Sequence, residues 1–244
     1  MSFTTTDPRL AAATARSILS CPAAIELTVD GVPQPLDDAL DDSGAFALQD
    51  ACGVPTFLCA PDGALAYAAC AGRNVLLSLR SGLAAEETDP EDRWETLVLA
   101  GSLRSVGTEA CDCCDDTRER AVVDVTFVLL TRSLPDGSLE RCRVPLAEFR
   151  SPSHQLNRGY LQRSAEHACD RHQDELRRAV AAIAGIRLGD VIGVRLTALT
   201  PYGAELRWVD GDGARIMALE FPRVAHSAEE LGMMLRTQLH PGIC

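Results

Sequence analysis

Lysine is absent: all 23 basic side chains of the 244-residue chain are arginine. That excludes Schiff-base chemistry at a lysine and the lysine of a phosphate-binding P-loop. No apolar run approaches the roughly 18 residues that a membrane-crossing helix needs. Stretch 1–19 lacks the basic start and apolar centre of a secretory leader. The chain also has no Gly-rich phosphate loop, no Gly-x-Ser-x-Gly elbow, no recognisable hydrolytic triad and no internal repeat. What is present is an ordinary globular balance, 46% hydrophobic and 24% charged, with a formal charge of −12. That charge opposes non-specific binding to nucleic acid or to an anionic membrane, so neither is expected as a partner. The expectation is a soluble protein of the cytoplasm.

Charge is unevenly placed. Residues 1–150 hold 24 acids against 12 arginines, a net of −12, whereas residues 151–244 hold 11 of each and are neutral. The change falls at Phe149-Arg150-Ser151-Pro152-Ser153 and predicts two modules, 1–150 and 151–244. Ten cysteines would suggest disulfides in a secreted protein; without a leader, the scattered ones are expected to pack as small hydrophobes. Only Cys111, Cys113 and Cys114 cluster. Three thiols in four residues are part of what a zinc or iron–sulfur site needs. The spacing is not Cys-x2-Cys and no second pair completes it. The neighbouring Asp112, Asp115 and Asp116 disfavour the thiolate, so a reduced exposed loop is the simpler expectation.

Local signals give an α+β order. Asp7-Pro8 predicts a helix start and Cys21-Pro22 its end. Short strands follow over 24–29, 45–48, 54–59, 74–79, 95–106, 122–130 and 139–145, with an Ala-rich helix over 64–71. Asp30-Gly31 and Leu134-Pro135-Asp136-Gly137 mark turns, and Asp37, Asp38, Asp41 and Asp42 a solvated loop. After residue 155 the period changes. Leu161, Ala165, Ala168, His172, Leu176, Ala179, Val180 and Ile183 line one face of a single long helix that Gly185 ends. Three strands over 191–199, 204–209 and 215–221 and a helix opened by the Ser227-Ala228-Glu229-Glu230 capping box complete an α-β-β-β-α module. On that long helix His172 is expected on the apolar face as a core histidine. His167 is about 140° away by the helical repeat, so the two would not converge on one metal.

This order resembles the haem-utilisation split-barrel family, the HugZ/HutZ-like proteins, which share the flavin-binding barrel of pyridoxamine-phosphate oxidases. Their small domain carries His-x-Asn-x-Asp-His-x-Asp-x-Leu. Here His167, His172, Asp174 and Leu176 match it, while Cys169 and Arg171 replace the Asn and the first Asp. Gly203 and Phe221-Pro222 fit the same domain, and Gly101 fits the long barrel strand. The family's Leu-Ala-x-His-x-x-Asn stretch falls on Leu65-Ala66, with Ala68 and Ala71 at its His and Asn. The resemblance implies an N-terminal split β-barrel followed by the α-β-β-β-α domain, a homodimer, and binding of haem or another tetrapyrrole. Oxidative haem degradation with release of iron would be a further step. It implies His154 or His172 as the iron ligand, with His167 nearby in the motif. It also implies Arg73 and Asn74 as candidates for a flavin phosphate. The alternatives are a non-catalytic regulatory or scaffold protein of tetrapyrrole metabolism, which Ala68 and Ala71 favour, and an FMN-dependent oxidoreductase. Flavin mononucleotide is disfavoured, because a doubly charged phosphate finds few donors in a lysine-free module of net charge −12.

Overall fold

A computed structural model describes residues 7–36, 48–84, 94–110, 117–134 and 136–239. The chain divides into two compact units, Met1–Gly159 and Tyr160–Cys244.

The first unit opens with α1 (Pro8–Ser20). The Asp7 carboxylate accepts from Arg9 N at 2.9 Å, and Pro8 supplies the fixed φ of a first helical turn. Ala11, Ala12, Ala15, Ile18 and Leu19 are buried on one face of it. Next come β1 (Pro22–Val29), β2 (Val32–Gln34), β3 (Leu48–Asp50), β4 (Pro55–Cys59), α2 (Ala64–Cys70), β5 (Asn74–Ser81), β6 (Glu95–Ala110), β7 (Thr117–Ser133), β8 (Leu139–Arg143) and α3 (Leu146–Phe149). The eight strands form one antiparallel sheet, ordered β2-β1-β5-β6-β7-β4-β3, with β8 paired to β7. Asp30 and Gly31, at φ 47° and 83°, make the tight β1–β2 turn that a right-twisted hairpin needs.

Alternation sets the core. Val75, Leu77 and Leu79 of β5 face inward with Leu97, Leu99 and Leu103 of β6 and Val123, Val125 and Leu130 of β7. Each fully buried Leu is worth about 1.5–3 kcal/mol of apolar transfer. The β6–β7 pair is longer than its sequence suggests. It continues past the apolar core into the polar ends Ser105–Ala110 and Thr117–Ala121, where ladder hydrogen bonds carry it. Two short elements without a strong sequence signal, β2 and α3, are also present. Of the strand expected over 45–48, only Leu48 lies among the described residues, at the start of β3; the Asp37–Asp42 tract lies outside them.

The second unit contains most of α4 (Arg158–Arg171), then α5 (Gln173–Ala184), β9 (Gly193–Thr200), β10 (Gly203–Asp210), β11 (Gly213–Glu220) and α6 (Ala228–Leu239). The sheet order is β11-β10-β9, and α5 lies against β9 and α6. Leu176 and Val180 meet a core that includes Leu196, Leu206, Leu231 and Met234. The molecule is therefore α+β. At α6 Ser227 Oγ accepts from Glu230 N at 3.2 Å, but the Glu230 carboxylate reaches the backbone N–H of His226 rather than that of Ser227.

The single long helix is instead two. His172 leaves helical geometry at φ −123°, ψ 32°, and stands as the N-cap of α5. The Gln173 amide explains the break. It donates 2.8 Å hydrogen bonds to the carbonyls of Cys169, on the last turn of α4, and of Val194, on β9. A carbonyl left over at a helix end thereby gains a partner, and the junction is tied to the sheet. Gly185 closes α5 in the left-handed conformation at φ 66°, as its position predicts.

Candidate functional site

His154 occupies the surface 3-10 turn Pro152–His154 that follows α3. Ser151 caps the turn by accepting from Ser153 N at 3.3 Å, and Pro152 fixes its first residue. Below it runs a buried ionic network. Arg16, on the apolar face of α1 and 1% exposed, donates from Nε to Asp50 Oδ2 at 2.6 Å and from Nη1 to the carbonyl of Phe149 at 3.0 Å. Ser20 Oγ and the backbone N–H of Gly53 donate to the same Asp50 carboxylate. Asn157 donates both to Ser20 Oγ, at 3.1 Å, and to the carbonyl of His154, at 2.9 Å. The backbone of the turn is thus locked to α1 through Asn157.

The imidazole is not locked in the same way. Its Nε2 is buried and, among the described residues, has no hydrogen-bond partner. Burial first and the Arg16 guanidinium second push its pKa below the ordinary histidine value; Glu148 opposes the shift and Arg9 adds to it. At neutral pH the ring is therefore uncharged, with one nitrogen lone pair available. Leaving a buried polar nitrogen unpaired costs about 1–3 kcal/mol, which a ligand on that nitrogen would offset.

The other expected residues fall elsewhere. Arg73, at the head of β5, pairs with Asp30 Oδ2 at 3.2 Å, and the backbone N–H of Asn74 donates to Asp30 Oδ1. Arg104 forks onto Asp124 at 2.9 and 3.3 Å and, by that hydrogen bond, holds the Asp124 carboxyl below its usual range. Both arginines thus face carboxylates.

His172 is not a core residue. The helix break places it at the α4–α5 junction with 51% of its side chain exposed. The same break overturns the expected divergence of the two histidines. The rings of His167 and His172 meet edge to face with centroids 5.2 Å apart, and His172 Nδ1 lies 3.9 Å from Glu175 Oε1. No group of three or more His, Cys, Asp or Glu side chains among the described residues is set to hold a metal ion. Cys111, Cys113 and Cys114 lie outside the described residues.

Asp50 does not stand out in the sequence. Arg16 carried a readable signal, being a charged residue among the apolar positions of α1, but its partner lies 34 residues away.

No family model matches the chain, and no curated protein matches it in sequence. Among solved structures it is similar to a haem-binding protein from Mycobacterium smegmatis, at 14% identity over 94% of this chain and 96% of that one, with a TM-score of 0.34. It is also similar to a protein of unknown function from Agrobacterium tumefaciens, at 14% identity over 97% and 98% of the two chains, with a TM-score of 0.36. TM-scores of this size establish neither a shared fold nor a shared ligand.

Proposed function

We propose that this protein binds haem, or a closely related tetrapyrrole, with His154 as the axial ligand to iron. One observation carries this: His154 keeps a neutral imidazole whose Nε2 is buried without a partner among the described residues. Pro152 and Ser153 of the same turn are exposed, so the ring can be presented to iron by a rearrangement at the surface that leaves the core intact. Bound haem would supply an iron centre for ligand binding and one-electron chemistry. The chain's own contribution is to hold His154 uncharged and to fix its backbone through Asn157. In the same proposal the large sheet is a split barrel that pairs with a second copy in the cytoplasm. Leu76 and Leu139, exposed on its strands at 45% and 48%, support that pairing.

Binding without haem breakdown is the better-supported form. α2 lies against β6 and β7, and it carries Ala68, with Ala71 just after it, where the resembled family has His and Asn. Neither can move a proton, which favours a carrier or regulatory role in tetrapyrrole metabolism over an oxygenase. The test is a haemin titration read at the Soret band. A saturable band that disappears in His154→Ala and persists in His172→Ala is expected. Absence of a saturable band, or an unchanged band in His154→Ala, would sink the proposal. A reductant added in air then shows whether bound haem is consumed.

A further inference from the structure

The three-stranded sheet of the second unit carries a pocket of about 530 Å³ that the haem proposal does not use. Its rungs explain the hollow. Arg207 of β10 stands directly opposite Arg195 of β9 and Ile216 of β11, and two residues on Val209 lies between Gly193 and Ala214. Opposed residues of an antiparallel ladder share a face, so two arginines and an isoleucine border a strip whose flanking side chains are the smallest available. Val209, Ile216 and the adjacent Ile192 stay 44%, 61% and 68% exposed, an uncovered apolar surface of the kind that marks binding sites.

Charge selects the ligand. The lining is almost entirely apolar, so Arg195 and Arg207 border it with their aliphatic stems and bring their guanidinium groups to its rim. Arg215, opposite Trp208, belongs to the other face, and no lining residue is Asp or Glu in a chain whose formal charge is −12. Arg215 is held by Asp210 and Asp212, and Arg207 by Glu205 at 3.1 Å, whereas no carboxylate in the described residues pairs with Arg195. Like charges directly opposite one another destabilise a sheet, and an anion between Arg195 and Arg207 would relieve that repulsion. Trp208, 7% exposed, stands on the opposite face of β10 from its neighbours Arg207 and Val209 and borders the pocket from behind. Its indole N–H makes no hydrogen bond of ordinary geometry among the described residues, although it lies near enough to Asp210 to help slightly in keeping that carboxyl ionised.

We infer that this pocket binds an amphipathic carboxylate, with its apolar body on Ile192, Val209 and Ile216 and its carboxylate at Arg195 and Arg207. Arginine suits the task because its planar fork matches a carboxylate.

The chain has two tryptophans, so in a Trp94→Phe background emission reports Trp208 alone. That protein is titrated with decanoate below its micelle range and, separately, with decyltrimethylammonium. Decanoate is expected to give a saturable shift, and the cation none. Arg195→Met with Arg207→Met should weaken decanoate at least about tenfold, the effect of losing a charge-assisted pair. Ile216→Glu, at an exposed edge position, should weaken it further without disturbing the core. His154→Ala should bind decanoate normally, which separates this site from the haem proposal. No saturable shift, an equal response to the cation, or undiminished binding in the variants would overturn the inference. So would Trp208 emission that follows protein concentration and ignores decanoate, which would mean that a second copy covers the face.

Discussion

The two units differ in where their paired arginines are buried. In the first, Arg16 and Asp50 are 1% and 5% exposed, and the guanidinium also holds a backbone carbonyl of the α3 end. Arg132 and Glu140 form a second, largely buried pair across β7 and β8. In the second unit Arg207, Arg215 and Arg223 all pair at the surface, about half exposed. A charge taken out of water must be matched there, so buried arginines fasten segments together. An exposed arginine is weakly held and remains free to meet a ligand. Buried arginine is thus a fastener of the first unit, which also carries exposed pairs at Arg73 and Arg104, whereas the arginines that the inferred carboxylate site would use are exposed ones of the second.

The largest effect should come from breaking the fastener. Arg16→Met leaves the Asp50 carboxylate buried without its cation and should destabilise the first unit by about 3–5 kcal/mol. Asp50→Asn should cost less, because Ser20 and Gly53 still have an oxygen to bond. Urea unfolding followed by tryptophan emission separates the units, since Trp94 reports the first and Trp208 the second. The Trp94 transition should move and the Trp208 transition stay. Movement of both by equal amounts would mean that the units unfold as one.

Glycine offers a matched test in both units. A Cβ at Gly101 would strike the carbonyl of Asp124, and one at Gly203 the carbonyl of Leu219, each well inside the 3.0 Å that real Cβ contacts respect. Both lie beside register shifts, between Ala100 and Gly101 on β6 and between Gly203 and Glu205 on β10. Backbone cannot give way as a side chain can. Gly101→Ala and Gly203→Ala should each cost about 1–3 kcal/mol. Gly211→Ala, with nothing within 4 Å, is the control and should be close to neutral.

Both of these glycines were legible as part of a family-like pattern, as were the Asp7 cap, the Asp30-Gly31 turn and the Gly185 stop. Each depends on neighbours within a few residues, or on a residue type with one conformational use. The break at His172 was not legible, because the apolar period runs through it unchanged. The partner that fixes it, the Val194 carbonyl, lies 21 residues from Gln173. For the same reason His172 was expected in the core and the two histidines apart. His154 was visible as a histidine in a loop, but its unpaired nitrogen depends on burial created by the folded chain around it. The Arg195–Arg207 rung depends on register. The bulge near Ala198, at φ 47°, shifts the β9–β10 pairing between Gly203 and Glu205, and a slip of one residue would turn these side chains to the other face.

His154 sharpens the comparison through pH. Its pKa is lowered in the folded state, so between that value and about 6.5 the unfolded chain binds the proton and the native chain does not. Stability must therefore fall as pH drops below about 6.5 and level off below the native pKa. His154→Leu removes the titration and the unpaired nitrogen together. At pH 7 it should gain about 1 kcal/mol, and its advantage over the parent should widen towards pH 5. Burial sets the shift first, and the charged groups that modify it, Arg16, Glu148 and Arg9, all lie in the first unit, so the effect belongs to the Trp94 transition. An advantage that is flat in pH would show that His154 is not desolvated in solution.

The smallest effect should come from the surface arginines of the second unit. Arg207 pairs with Glu205 on its own strand at 3.1 Å, and both side chains are more than a third exposed, so solvent screens the attraction. Opposing that gain is Arg195 directly across the ladder. The two influences nearly cancel, and Arg207→Met should shift the Trp208 transition by no more than about 0.5 kcal/mol. The sign is informative. Stabilisation at low salt that fades at high salt means that repulsion from Arg195 dominates in the free protein. An anion seated between the two guanidiniums would then stabilise the unit as well as bind to it. Adding decanoate should raise the Trp208 midpoint of the parent protein and leave that of the Arg195→Met, Arg207→Met variant unchanged. A loss of more than about 2 kcal/mol in Arg207→Met alone would instead make Arg207 a fastener like Arg16, and the contrast between the units would fail.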